Sequence, residues 1–288
     1  MVEDVAEEYL EELIHRSMIQ VAGRKWDGRV KSCRIHDLLR DLAISKAKDS
    51  KKFEVHRNII FAYPFNPRRL IAHDSKNISQ HLHTCRLIRS LICSLDFPPS
   101  SLVSCLRTKL LTVLDLTLTE PHRWDLPKEI GEFIHLKYFS FKNVIGSLPW
   151  SIGPDVDPRK VTNLRVLKLM AQSYIGEKMT CSSEGFSQLE FLRLKDLYAL
   201  EELKVEERAM PSLKTLQIVL CYKMKTLLHE LLKLKNLQRV NLESMDDELI
   251  QEIETTEGEE YDKIRGITSI IKHHENINVA RALEGIVF

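Results

Sequence analysis

His81, His83 and Cys85 alternate along the chain, so a β-strand would turn all three to one side, as a shared metal requires. Spacing places no fourth ligand beside them, and ordinary surface residues of a repeat are the competing account. The pair His273-His274 has still less to recommend it as a ligand set. His36 and Asp37 stand just ahead of an apolar stripe. There an aspartate can cap a helix, and a histidine is the side chain that titrates near neutrality. Serines, cysteines and histidines are present, but no G-x-S-x-G turn or other local arrangement activates a nucleophile. The six cysteines, Cys33, Cys85, Cys93, Cys105, Cys181 and Cys221, form no CxxC pair and are too sparse for a disulfide framework. These residues predict no catalytic site and no metal, and reduced thiols. Any function must come from noncovalent recognition.

The element that would position such recognition is a repeat. A frame of apolar, two variable, apolar, variable, apolar recurs as Leu111-Leu114-Leu116, Leu136-Phe139-Phe141, Leu164-Leu167-Leu169, Leu189-Leu192-Leu194, Leu213-Leu216-Ile218 and Leu237-Val240-Leu242. Successive starts lie 25, 28, 25, 24 and 24 residues apart. A weaker copy, Ile88-Leu91-Cys93, comes earlier, and Arg69 to His73 reads as a possible strand before it, for about seven coils. Alternating apolar residues in a short strand all point one way and need a neighbouring strand to bury them, so one copy cannot fold alone. Leu126-Pro127-Lys128-Glu129-Ile130-Gly131 and Leu148-Pro149-Trp150-Ser151-Ile152-Gly153 repeat an L-P-x-x-I-G pattern suited to return turns. The expected fold is α/β: a leucine-rich-repeat solenoid with parallel strands on its concave face. Three residues past each frame, where asparagine or cysteine is common in such repeats, stand Thr119, Val144, Gln172, Leu197, Cys221 and Met245. Only Cys221 fits, which predicts an imperfect coil-to-coil ladder.

Variable frame positions project from the concave face. Lys137, Lys142, Arg165, Lys168, Arg193, Lys195, Lys214 and Arg239 are basic, against Asp115, Glu190 and Glu243, with Tyr138 and Phe191 interleaved. This predicts a positive inner face for an acidic protein surface, with a merely solvated polar face as the alternative. Between Asp246 and Asp262 the chain is acidic without a lysine or arginine. Such a run is either a solvated, mobile segment or an intramolecular mask for the basic face. The formal net charge of +1 gives no general argument for nucleic acid. No apolar stretch approaches the roughly 20 residues of a membrane span and no signal peptide opens the chain, so a cytoplasmic protein is expected.

Ahead of the repeats, Val2, Val5, Ala6, Tyr9, Leu10, Leu13 and Ile14 follow helical spacing. Ser17 to Val21 and Val30 to Ile35 then read as strands around Asp27-Gly28, a favoured hairpin turn. A second helix begins near Asp37, with Leu38, Leu39, Leu42 and Ala43 as its buried stripe. Helix, hairpin and helix suggest part of a winged-helix unit. Val5-Ala6-Glu7-Glu8-Tyr9-Leu10-Glu11-Glu12-Leu13-Ile14-His15-Arg16-Ser17 and Cys33-Arg34-Ile35-His36-Asp37-Leu38-Leu39-Arg40-Asp41-Leu42-Ala43 resemble plant coiled-coil nucleotide-binding leucine-rich-repeat (NB-ARC LRR) disease-resistance proteins.

The resemblance extends over nearly the whole chain and implies a carboxy-terminal fragment of an innate-immunity receptor. In that family the winged helix carries a Met-His-Asp motif, occupied here by Ile35-His36-Asp37. It implies that, in an intact receptor, His36 meets the β-phosphate of ADP and Asp37 helps hold the resting state. The implied partners are the receptor's own nucleotide-binding module and a pathogen effector or a host protein that the effector modifies. The chain lacks a G-x-x-x-x-G-K-[ST] loop, so no ADP or ATP binding is expected of it alone. The rival reading is a winged-helix DNA-binding protein with a repeat interaction domain, since Arg24, Lys25, Arg29, Lys31 and Arg34 make the wing basic. Against it, the second helix offers few side chains to read base edges. The expected division is a partial winged helix over 1–60, repeats over 61–245 and an acidic tail or cap over 246–288.

Overall fold

The computed structural model describes residues 2–24, 30–49, 53–56, 67–73, 82, 85–96, 110–123, 130, 133–145, 163–183 and 186–271. They fall into two compact units, Met1–Val55 and His56–Phe288. Both L-P-x-x-I-G segments apart from Ile130, the Asp27-Gly28 turn, His81, His83, Cys105 and His273-His274 lie outside the described residues.

In the first unit, helix α1 (Val2–His15) is followed by strands β1 (Ile19–Arg24) and β2 (Val30–Ile35) and helix α2 (Asp37–Asp49), and a short strand β3 (Phe53–His56) spans the boundary between the units. Helix α1 ends where Ser17 turns left-handed at φ 56°, and the Met18 N–H donates to the Leu13 carbonyl at 3.0 Å. That is the bond pattern of a helix terminus usually closed by glycine. Strands β1 and β2 pair antiparallel from Ile19 opposite Ile35 to Arg24 opposite Val30, with irregular register on both sides of Gly23. Arg24 reaches Glu11 of α1 at 3.2 Å, tying the hairpin to the helix.

In the second unit nine strands build one parallel sheet. In spatial order they are β4 (Arg69–Ala72), β5 (Ser90–Leu95), β6 (Val113–Arg123), β7 (Tyr138–Ile145), β8 (Val166–Met170), β10 (Phe191–Lys195), β12 (Thr215–Val219), β13 (Arg239–Glu243) and β14 (Thr268–Ile271). Register holds from coil to coil: Leu91, Leu114, Phe139, Leu167, Leu192, Leu216 and Val240 form one continuous row. Cys93, Leu116, Phe141, Leu169, Leu194, Ile218 and Leu242 form the next. All of them are buried. The frame read from sequence is therefore the core.

At the strand exits the chain turns through Asn143, Ala171, Asp196, Leu220 and Ser244, all with positive φ. Their N–H groups donate to the next coil's Ala171, Lys195, Val219, Glu243 and Ile271 carbonyls. The asparagine of this ladder is Asn143, one residue before the predicted Val144. Its side-chain amide donates to the Leu118 carbonyl at 2.7 Å, while Val144 is buried in the core. Cys221 stands at the predicted place, three residues past its frame, with its Sγ 4.0 Å from the Leu194 carbonyl oxygen of the preceding coil.

The return segments add a second, two-stranded parallel sheet that the frame did not predict. It joins β9 (Lys178–Cys181) to β11 (Glu202–Val205), and Met179, Cys181, Leu203 and Val205 are buried beneath it. The Val205 N–H donates to the Glu230 carboxylate on helix α3 (Leu228–Leu232), which also receives the Lys233 ammonium at 2.8 Å. Truncation by Glu230→Ala leaves that buried N–H without its acceptor, so urea unfolding should show a loss of about 1–3 kcal/mol. Glu230→Gln keeps an acceptor oxygen and should recover most of it; equal stability of the alanine variant would refute the assignment.

The acidic stretch after Met245 differs from the expected solvated run. It folds into helices α4 (Asp247–Thr255) and α5 (Glu259–Ile267), and β14 then adds a further strand beside β13. Leu249, Ile250, Ile253 and Ile264 are buried, so the repeat core continues past residue 245. The acidic residues cluster in the first turns: Asp247 and Glu248 in α4, and Glu259, Glu260 and Asp262 in α5. There the positive end of the helix dipole stabilises them. Asp246 caps α4 by accepting the Glu248 N–H at 2.9 Å. Local partners thus engage Asp246, and also Asp262, which pairs with Arg265.

Candidate recognition face of the repeat sheet

Strand register assigns each predicted contact residue to a row on the concave face. Lys137, Arg165, Glu190 and Lys214 are linked through backbone bonds where the chain enters the strands. Tyr138, Val166, Phe191, Thr215 and Arg239 form the next row. Asp115, Ser140, Lys168, Arg193, Gln217 and Asn241 form the central one. Lys142, Met170 and Lys195 belong to the exit row.

The structure draws one compact cluster out of this set. The Lys168 ammonium lies 5.0 Å from the Tyr138 ring centre and 5.8 Å from that of Phe191, so two aromatic faces flank one cation. Arg193 is the direct neighbour of Lys168 across the β8–β10 pair. The Tyr138 hydroxyl donates to Asp115 Oδ2 at 3.2 Å. Arg239 stands apart from the cluster, with Thr215 and Gln217 on the strand between. Glu190 is already paired, with Lys214 at 3.0 Å and Arg165 at 3.5 Å. Two of the counted cations therefore spend part of their field on an acid of the same face. Lys142 and Lys195 extend the positive surface toward the strand exits.

Asp115 is the residue that charge counting undervalued. Burial raises its pKa above the ordinary aspartate value, opposed by the Tyr138 hydrogen bond and the Lys168 charge. Burial and the Asp115 charge push the Tyr138 hydroxyl up to about 12. Because folding raises the Asp115 pKa, its stabilising contribution is complete below the ordinary aspartate range and is lost as pH rises through the raised value. Asp115→Asn should therefore gain stability relative to the parent as pH rises through that window. Urea unfolding across a pH series measures this, and a pH-independent difference would contradict it.

Four of the five described cysteines serve the core, and Cys33 is exposed. Cys85, Cys93, Cys181 and Cys221 are buried, and burial lifts the Cys181 and Cys221 thiols to about 12 and about 11, away from the reactive thiolate. Cys85 is thus committed to the core, while its two proposed metal partners lie outside the described residues.

His36 and Asp37 are exposed in the first unit. The capping role expected of Asp37 falls to His36, whose Nδ1 accepts the Leu38 N–H at 3.3 Å. Asp37 is the first helical residue and pairs with Arg40 at 3.1 Å. With Nδ1 accepting, the ring proton of a neutral His36 sits on Nε2. The stripe expected to be buried on α2 is instead largely open: Leu38 is 75% and Leu42 54% exposed, Ala43 is exposed and only Leu39 is half-buried, a surface with little to offer base edges. No helix among the described residues is long and apolar enough to cross a membrane.

A hairpin-bearing helical unit joined to a parallel leucine-ladder sheet defines a winged-helix and leucine-rich-repeat protein. Residues 1–43 match the disease-resistance-protein winged-helix domain family. The chain is 31% identical over 253 residues to putative disease resistance RPP13-like protein 3 of Arabidopsis thaliana, covering 84% of this chain and 28% of that protein. It is 31% identical over 235 residues to disease resistance protein RPP13 of Arabidopsis thaliana, covering 72% of this chain and 27% of the relative. With the ToMV susceptible protein tm-2 of Solanum lycopersicum it shares 32% identity over 183 residues, 60% of this chain and 20% of that protein. The chain belongs to the plant nucleotide-binding leucine-rich-repeat disease-resistance proteins. Its matches span between 20% and 28% of the length of these curated relatives.

Proposed function

We propose that this chain is the recognition and restraint end of a cytoplasmic plant immune receptor, and that its concave face binds acidic protein surface. In the resting receptor that surface belongs to the nucleotide-binding module. On infection a pathogen effector, or a host protein that the effector modifies, competes for the same face or alters it. The observation that carries this reading is the Lys168 ammonium between Tyr138 and Phe191, with Arg193 beside it. A cation held by aromatic rings is already ordered and partly desolvated, so pairing it with a carboxylate costs less side-chain entropy than engaging a free lysine. Lys137, Lys142, Arg165, Lys195 and Lys214 in the neighbouring rows, with Arg239 farther along the face, steer acidic partners by long-range attraction.

His36 and Asp37 belong to the switch. In a receptor that holds ADP, the His36 Nε2–H would donate to a phosphate oxygen, while Asp37 with Arg40 fixes the start of α2. Bound nucleotide supplies the state that the repeats restrain, and the repeat face itself carries out no reaction. Joining these repeats to the nucleotide-binding part of a full-length relative tests the restraint. Lys168→Glu with Arg193→Glu should switch on defence output without a pathogen. Continued silence in a correctly accumulated protein would refute the proposed contact.

A further inference from the structure

The concave face changes chemistry along its length. In the central row, the strands before Asp115 carry Ile71 and Ile92, and Val113 occupies the neighbouring row beside Tyr138. Ile92 is 40% exposed, although it sits in the middle of a paired strand. Leu87, Leu110 and Ile134, in the turns leading into β5, β6 and β7, are 46%, 40% and 54% exposed. From β8 onward the same central row becomes Lys168 and Arg193. A face that served only to attract negative charge would have no use for exposed branched aliphatics at one end. Ile71 and Val113 beside Ile92 are half-buried, and apolar surface bordered by polar groups marks a contact site.

We infer that the partner segment is bipartite, with an acidic stretch lying over Lys168 and Arg193 and an aliphatic anchor seated over Ile71, Ile92 and Val113. This rests on the proposed binding of acidic protein surface and adds what that surface must carry beside its charge. Charge complementarity selects an acidic segment, and the apolar end selects one with leucine-like side chains at a fixed offset. Ile92 on β5 and Lys168 on β8 are three strand steps apart in the sheet. That spans about 14 Å at the usual strand spacing. An extended segment crossing the strands covers it in about four residues. The charges set the rate of encounter, and the anchor fixes where along the row the partner stops.

The test uses the full chain and labelled oligoglutamate peptides, titrated by fluorescence anisotropy. One set carries a leucine pair offset by that spacing at either end of the acidic stretch, and the other carries serines there. The expected result is affinity at least about tenfold higher for a leucine peptide, as burial of a single aliphatic side chain supplies. Ile92→Ser should lower the leucine peptide's affinity more than the serine peptide's and so narrow that difference. Equal binding of leucine and serine peptides overturns the bipartite partner and leaves the acidic-surface reading standing. Failure of every peptide to bind overturns both. The comparison on the unmodified chain decides the matter even if the variant fails to fold.

Discussion

Replacing Phe139 with alanine should lower the unfolding free energy of the repeat region by about 3–5 kcal/mol, among the largest effects available to a single substitution. Phe139 is fully buried, and its ring centre lies 5.1 Å from that of Phe141 at an angle of 48°. It stands in the ladder between Leu114 and Leu167, so the vacated space opens between two coils at once. In a solenoid, stability is a sum of repeat terms and nearest-neighbour interfaces, with no distant contact to compensate for a lost interface. Urea unfolding should therefore show a lower midpoint and a less cooperative transition, because coils on either side of β7 lose their coupling. Ile134→Ala is the matched control: Ile134 is 54% exposed, and its truncation should stay within about 0.5 kcal/mol. Comparable losses in the two variants would contradict the ladder as the main source of stability.

The second large effect concerns binding. Lys168→Glu combined with Arg193→Glu should weaken oligoglutamate binding about a hundredfold or more, equivalent to about 2.7 kcal/mol. Each reversal replaces attraction with repulsion at a site partly shielded from water, where screening by salt is weaker than on an open surface. The lysine reversal also sets a carboxylate near Asp115, whose pKa burial already raises. Circular dichroism must therefore show that the sheet remains intact. Lys178→Glu with Lys225→Glu provides the comparison. These lysines pair with Glu202 and Glu201 at 3.0 Å on the return side of the coils, and reversing them should leave the affinity unchanged. Equal loss in both double variants would reduce the interaction to net charge and remove the special role of the concave cluster.

The buried part of the fold was readable because a period of 24 to 28 residues with two-residue alternation inside it leaves one economical way to bury leucine. Leu114, Phe139, Leu167, Leu192 and Leu216 lie in one row, as the frame requires. The acidic end was misjudged because its charges were read as a run. Leu249, Ile250 and Ile253 within it already have helical spacing, and the helix-start positions of the acids explain their density. In β7 the ladder asparagine stands one residue earlier than expected, because the backbone turns left-handed at Asn143 within the strand, and the frame carries no information about φ. The return-side sheet escaped because alternation in Met179-Cys181 and Leu203-Val205 spans only two ladder positions, too short to stand out from loop sequence.

For the recognition face, residue types were legible but their grouping was not. Ten candidate side chains counted alike in sequence. Register and packing separate Tyr138, Lys168, Phe191 and Arg193 from Arg239, and identify Arg165 and Lys214 as partners of Glu190. Asp115 entered the sequence only as a charge to subtract. Its burial and its bond to Tyr138 make it the group that positions the aromatic side of the cluster.

Carbodiimide coupling in a receptor that joins these repeats to a nucleotide-binding module tests the proposed restraint most directly. The reagent condenses a lysine amine with a touching carboxylate, with loss of water, and so records which lysines meet acidic surface at rest. Peptide mapping should find Lys168 and Lys195 joined to carboxylates of the nucleotide-binding module, and these links should disappear when the receptor is activated. Links confined to return-side lysines such as Lys178 and Lys225, with the concave lysines unmodified, would contradict the account.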